Sequence, residues 1–252
     1  MSNKRFYLAL SGLIITVVFT GFLIASCTGA VQFFIPDNKA LFTSFSGVDK
    51  RIVHQSFITP DDAAVKDLAS GLNSTEDAYK LSVSWIYIRE QWLNGTEEKW
   101  LKPAEFLTGT PDYPDNPVPG RAVSDCEEQA CTLVSLIRAM NVPADEVRVV
   151  LGTTGRDDDF RGHAWVELWD NGGWLPLDPS CGSYWDDVSE VLVESQGLPF
   201  NFYADYEYPV PNADTYFNDI YYLDATGGSG NAPNWWFDTL KTSGRAALNR
   251  QP

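Results

Sequence analysis

The chain has 252 residues, of which 44% are hydrophobic and 13% aromatic. That is enough apolar material for the core of one ordinary domain, and too much for a disordered chain. Its 34 acidic residues outnumber the 18 basic ones, giving a formal net charge of −16. With no basic stripe and no phosphate-cradling glycine loop, a negative field of that size argues against nucleic acid as a partner.

Lys4 and Arg5 precede an uncharged run from Phe6 to Ser26. Roughly 20 apolar residues cross a bilayer once, and positive charges before such a run orient its start to the cytoplasm. The run closes with Leu23-Ile24-Ala25-Ser26-Cys27, which resembles a bacterial lipoprotein signal with Cys27 as the lipidation site. Residues 1–27 are therefore read as a signal peptide or membrane anchor. A retained anchor, a lipoprotein and plain secretion stay open, and all three place the rest of the chain outside the cytoplasm.

Export changes the cysteine arithmetic. Apart from Cys27, the chain has Cys126, Cys131 and Cys181, an odd number for an oxidising compartment, which points to either an intermolecularly paired thiol or a reactive one. Cys131 and Cys181 are the candidate disulfide.

Residues 28–58 show no sustained period and read as a spacer. A helix is expected from Thr59, with Pro60 at its first position and Ala64, Leu68 and Leu72 on its apolar side. Gly71 ends it. A second helix is expected from Thr75 to Leu93, because Ala78, Leu81, Trp85, Ile88 and Trp92 recur every three or four residues. Four prolines make residues 108–123 a loop. Ser124-Asp125-Cys126-Glu127 then fits a capping box, with Ser124 as N-cap and a helix running to about Met140. Beyond it the period becomes two. Strands are expected over Val147–Leu151, His163–Trp169 and Trp174–Asp178, with Gly152 to Gly162 as a turn-rich connection and Asn171-Gly172 as a hairpin turn. Residues 59–225 form the expected catalytic domain and 226–252 a tail. Helices followed by an antiparallel sheet make the class α+β.

Placed second in its helix, Cys126 would have unpaired N–H groups and the helix dipole favouring a thiolate, with a lowered pKa. A lone cysteine is more often a small buried hydrophobe, so the reading needs a partner. Only His54 and His163 are available as a base, and His54 sits in the weakly patterned spacer with no acid nearby. The hairpin supplies the test. If Asp170 faces Gly173 across the two-residue turn, opposite residues sum to 343, and His163, Trp165 and Asp178 share one face. His163 and Asp178 are then a diagonal pair, within reach of a hydrogen bond.

Asp125-Cys126-Glu127-Glu128 at a helix start, Gly162-His163-Ala164-Trp165-Val166-Glu167 on a strand and Trp174-Leu175-Pro176-Leu177-Asp178-Pro179 on the next together resemble the transglutaminase-like superfamily. The likeness is closer to its bacterial and archaeal thiol-protease-like members, and it covers about residues 60–181. It implies a papain-like core in which helices lead to a nucleophile at a helix N-terminus packed on an antiparallel sheet. It also implies Cys126 as nucleophile, His163 as base and Asp178 as the group that orients it, acting on a peptide or protein amide. Ser124 replaces the glycine common before the Asp-Cys pair, a mild departure because serine is the better cap. The Cys126 N–H and a side chain from Gln91, Trp92 or Trp100 are the candidate oxyanion donors.

No cofactor or metal is expected. Cys126 and Cys131 lie five apart on a helix and so point about 140° away from each other, which spoils a zinc set with His163 and Cys181. Asp157-Asp158-Asp159 lacks the spacing of a calcium loop. The rival to an enzyme is a non-catalytic surface binding or assembly module that keeps the fold.

Overall fold

The computed structural model describes residues 49–156 and 159–238. The N-terminal apolar run, Cys27, most of the spacer, Asp157, Asp158 and the end of the tail lie outside it. Among the described residues, no helix is long and apolar enough to cross a membrane.

The chain first forms α1 (Lys50–Gln55), capped by the Asp49 carboxylate accepting from the Arg51 N–H. The next helix, α2 (Ala63–Ser70), begins later than Thr59 because the Asp62 side chain takes the Ala64 N–H and becomes the cap. Residues 60–62 are a turn leading into it. Its buried side is Val65 and Ala69, one position on from the expected stripe. Ser74 caps α3 (Thr75–Ser82).

The expected helix to Leu93 is not continuous. It stops at Ser82, where the Ser82 and Ser84 hydroxyls donate back to the carbonyls of Tyr79 and Leu81. The chain then extends as β1 (Ile86–Tyr87) before a short α4 (Glu90–Asn94), which ends at left-handed Gly95. Ile86 and Ile88 donate N–H groups to the carbonyls of Ala122 and Ser124, so a parallel pairing far along the chain overrides the helical period. Pro103 starts α5 (Pro103–Thr108), β2 is Val123–Ser124, and α6 spans Cys126–Ala139.

Two sheets follow from the remaining strands. β3 (Val147–Arg156), β4 (Asp159–Asp170), β5 (Gly173–Leu177), β8 (Asn212–Phe217), β9 (Tyr222–Asp224) and β10 (Ser229–Gly230) form an antiparallel sheet in the order β10-β9-β8-β3-β4-β5. The smaller sheet has the order β2-β1-β6-β7, where β6 is Ser183–Asp186 and β7 is Val191–Val193. A single helical turn, α7 (Phe202–Asp205), precedes β8.

Gly152 to Gly162 is strand, not loop: β3 and β4 stay paired from Gly152↔His163 out to Arg156↔Asp159. Gly152 looks like a breaker in the sequence, yet it permits a bulge against β8. A Cβ at that position would lie 2.3 Å from the Asn212 carbonyl oxygen.

α6 is buried from Cys126 through Ile137, polar residues included. It packs on β3 and β4 on one side and on α2, α3 and α5 on others. The last segment is not a loose tail through residue 238. Trp236 is 0% exposed, and its indole donates to the Asp145 carbonyl.

Candidate active site

The site begins where β2 runs into α6. Asp125, not Ser124, is the N-cap, and Cys126 is the first helical residue. Ser124 is held in β2 and donates its hydroxyl to Glu128, so the expected capping box is absent. The helix start still presents unpaired N–H groups around Cys126.

The electrostatics differ from the expectation of a ready thiolate. Cys126 is 6% exposed, its thiol donates to the Glu127 carboxylate at 3.2 Å, and Asp125 lies beside it. Burial, then Glu127 and Asp125, push its pKa well above the ordinary thiol value. The Ala164 N–H bonds the sulfur and pulls the other way, but it does not win. Burial, with the acids Glu127 and Asp125 on either side of the thiol, outweighs a helix dipole that is equivalent to about half a charge.

That Ala164 contact places the sulfur against β4 next to His163. The Asn171-Gly172 turn has positive φ at both residues, 48° and 84°, as a two-residue hairpin of this kind requires. It sets the register Asp170↔Gly173 through Val166↔Leu177. Asp178 follows directly, and its Oδ2 lies 2.9 Å from His163 Nε2.

Asp178 is 4% exposed and accepts four hydrogen bonds. Ser180 donates its N–H and its hydroxyl to Oδ1 at 3.1 and 2.7 Å. His163 and the Tyr208 hydroxyl share Oδ2, the latter at 2.8 Å. Burial raises the carboxyl pKa, but His163, Ser180 and Tyr208 outweigh it and the net shift is downward. An ionised Asp178 can only accept, so His163 carries its proton on Nε2 and keeps Nδ1 as the basic nitrogen. Trp165 stacks near His163, with ring centroids 6.3 Å apart, and also packs on Tyr208.

Ser180 was legible in principle, since Asp-Pro-Ser is a helix-start pattern. Tyr208 was not. It arrives from 30 residues further along, with no period or motif to announce it.

The other sequence candidates sit elsewhere. His54 is buried among Trp100, Phe217 and Tyr222, where burial, then Lys50, lower its pKa to about 4. Gln91 is exposed and Trp92 is 46% exposed. The Trp100 indole N–H donates to Glu98. A donor the sequence did not suggest is Tyr87, opposite Ser124 in the sheet. Burial, then the acidic neighbours Cys126, Asp125 and Glu127, hold the proton on its phenol. Cys131 and Cys181 are buried thiols rather than the expected disulfide.

Beyond Cys126 the carboxylates continue. Glu90 is buried and its pKa is pushed up to about 10, first by burial and then by Asp125, Glu128 and Glu98. Among the described residues, those placed to hold a cation are Asp125, Cys126 and Glu127, or Glu90, Asp125 and Glu128; within each group the ligand atoms lie within 4.8 Å of one another.

A buried thiol at a helix N-terminus, packed beside a histidine–aspartate pair on an antiparallel sheet, defines a papain-like thiol site. Residues 65–179 match the family model of the transglutaminase-like superfamily. No curated protein sequence matches the chain. Similar solved structures include LapG of Legionella pneumophila, at 14% identity and a TM-score of 0.40 over 71% of this chain and 96% of LapG. The calcium-bound form of LapG shows 13% identity and a TM-score of 0.38 over 71% and 97%. A suspected cysteine protease from Cytophaga hutchinsonii shows 16% identity and a TM-score of 0.36 over 68% of this chain and 55% of that one. The chain thus spans about half the length of the Cytophaga protein.

Proposed function

We propose that the protein is an extracytoplasmic cysteine peptidase or acyltransferase that opens an amide bond through a thioester on Cys126. The observation that carries this reading is the 2.9 Å His163–Asp178 hydrogen bond, made by the residue preceding Ala164, whose N–H reaches the Cys126 sulfur. Asp178 fixes the Nε2–H tautomer, and Nδ1 takes the thiol proton as the sulfur attacks the substrate carbonyl. The C=O π bond opens, and the oxyanion is met by the Cys126 N–H and the Tyr87 hydroxyl. His163 returns the proton to the departing amine as the C–N bond breaks, leaving the thioester. Water or a second amine then releases it, giving hydrolysis or transfer.

The raised thiol pKa supports a base-assisted attack rather than a standing thiolate–imidazolium pair. Incubation with a peptide library, with and without a primary amine, followed by mass spectrometry of the products, tests the reading. Cleaved or amine-capped peptides that vanish with Cys126→Ala are expected, and a wild-type protein with neither product contradicts it.

The same closed, protonated thiol is what favours the second reading, a binding or assembly module on the same fold. An inert Cys126 toward acylating probes, with intact partner binding, would select that reading. Placement outside the cytoplasm rests on Lys4, Arg5 and the Phe6–Ser26 run. Protease added to intact cells should degrade residues 28–252, and full protection contradicts the placement.

A further inference from the structure

We infer that Tyr208 is a positioning residue for the proposed reaction, holding Asp178 ionised and aimed at His163. The inference rests on the reading of Cys126, His163 and Asp178 given above and adds a member that comes from outside the matched family region, which ends at residue 179.

The geometry is specific. The Tyr208 hydroxyl donates to Asp178 Oδ2 at 2.8 Å, on the same oxygen that His163 Nε2 reaches at 2.9 Å. Ser180 occupies Oδ1 with two donors. Without Tyr208, Oδ2 would have His163 as its one donor, and a buried carboxylate would lose a partner it cannot replace from water. The phenol is a committed donor: burial, then Asp178, Cys181 and Tyr203, raise its pKa well above the ordinary tyrosine value.

The residue is also built in. Tyr208 is 9% exposed and belongs to the aromatic cluster containing Trp165 and Trp236. Tyr203 meets its ring edge-on at 4.7 Å and Trp165 packs at 5.3 Å. The Gly155 N–H donates to the Pro209 carbonyl, which ties the segment to β3, the strand paired with His163's own. The C-terminal aromatic region therefore completes the site from behind the aspartate. The titratable groups facing Asp178 and Tyr208 are His163, Cys181 and Tyr203.

The test compares wild type, Tyr208→Phe and His163→Ala in the full chain. Two readouts need no substrate: the Asp178 carboxyl titration by 13C NMR, and the pH profile of Cys126 carboxamidomethylation. Tyr208→Phe keeps the ring and removes the donor. The Asp178 pKa should rise by about one unit, and labelling near neutral pH should fall about tenfold. An Asp178 titration that does not move, or one that moves while labelling stays at the wild-type rate, overturns the inference. If His163→Ala labels like wild type, the proposed function fails with it, and that failure is told apart because the Asp178 shift is read independently. Should Tyr208→Phe not fold, 3-fluorotyrosine at position 208 keeps the shape and strengthens the donor. The Asp178 pKa must then fall, and no movement overturns the inference.

Discussion

The Cys126 thiol donates its hydrogen bond to the neighbouring Glu127 carboxylate, so the residue beside the nucleophile opposes its ionisation. Burial, then the neighbouring acids Glu127 and Asp125, set the resting state, and the helix N-terminus does not overcome them.

Glu127→Gln removes the charge that Glu127 carries above its own pKa of about 8 and keeps the side chain's shape. The Cys126 pKa should fall by about one unit, which is tenfold in thiolate at a pH below it. Above about pH 8, where Glu127 is ionised, alkylation should speed up accordingly, and a rate no faster than wild type there would sink the assignment of Glu127 as the restraint.

Asp178→Asn leaves the hairpin intact but takes away the acceptor that sets the His163 tautomer. Turnover of a cleavable peptide should drop by orders of magnitude, with about 10⁴ the cost of the same change in a serine triad. Cys126→Ala should abolish turnover. His54→Phe, which fills the same aromatic slot, should leave kcat within about twofold of wild type, since its ring packs against Trp100, Phe217 and Tyr222. Loss of activity there would mean that the site has been placed wrongly.

Stability should peak in mildly acidic solution. Glu90, Glu127 and Glu98 have folded pKa values raised to about 10, about 8 and about 7, chiefly by burial. Their folded forms hold protons that the unfolded chain releases above about pH 4.5, so their contribution is full below that and is lost as pH rises through the raised values. His54 acts at the other end. Its folded pKa is lowered to about 4, so stability falls as pH drops from about 6.5 toward 4. Thermal melts across pH should show a higher Tm near about pH 6 than near about pH 9. Glu90→Gln should flatten the alkaline side; an unchanged slope would contradict this account of the buried acids.

Gly152→Ala should damage fold and site together. The added Cβ would meet the Asn212 carbonyl at 2.3 Å and the Trp165 ring at 3.0 Å, directly across from His163. A loss of about 1–3 kcal/mol in denaturant melts is expected for overpacking at a backbone contact. A neutral substitution would show that the bulge can open at little cost.

Thiol labelling under denaturing, non-reducing conditions should modify Cys126, Cys131 and Cys181 alike. Protection of Cys131 and Cys181 together would reinstate the disulfide suggested by the export signal.

The pairing of His163 with Asp178 was legible in the sequence because it depends on local rules: a two-residue turn, strict alternation along a strand, and a count across the hairpin. The helix at Cys126 was legible for a similar reason, although its cap shifted by one residue when Ser124 was drawn into β2. Only the tertiary structure decided the rest. The Thr75–Leu93 helix broke because Ile86 pairs with Val123, 37 residues away by subtraction, a contact that no periodicity window contains. The Cys126 pKa turned upward because burial, and the packing of Asp125 and Glu127 against the thiol, depend on the tertiary surroundings, whereas the sequence showed only a helix start. Tyr208 reaches Asp178 because β8 is laid beside β3, and long-range packing of that kind carries no local signature for a sequence to display.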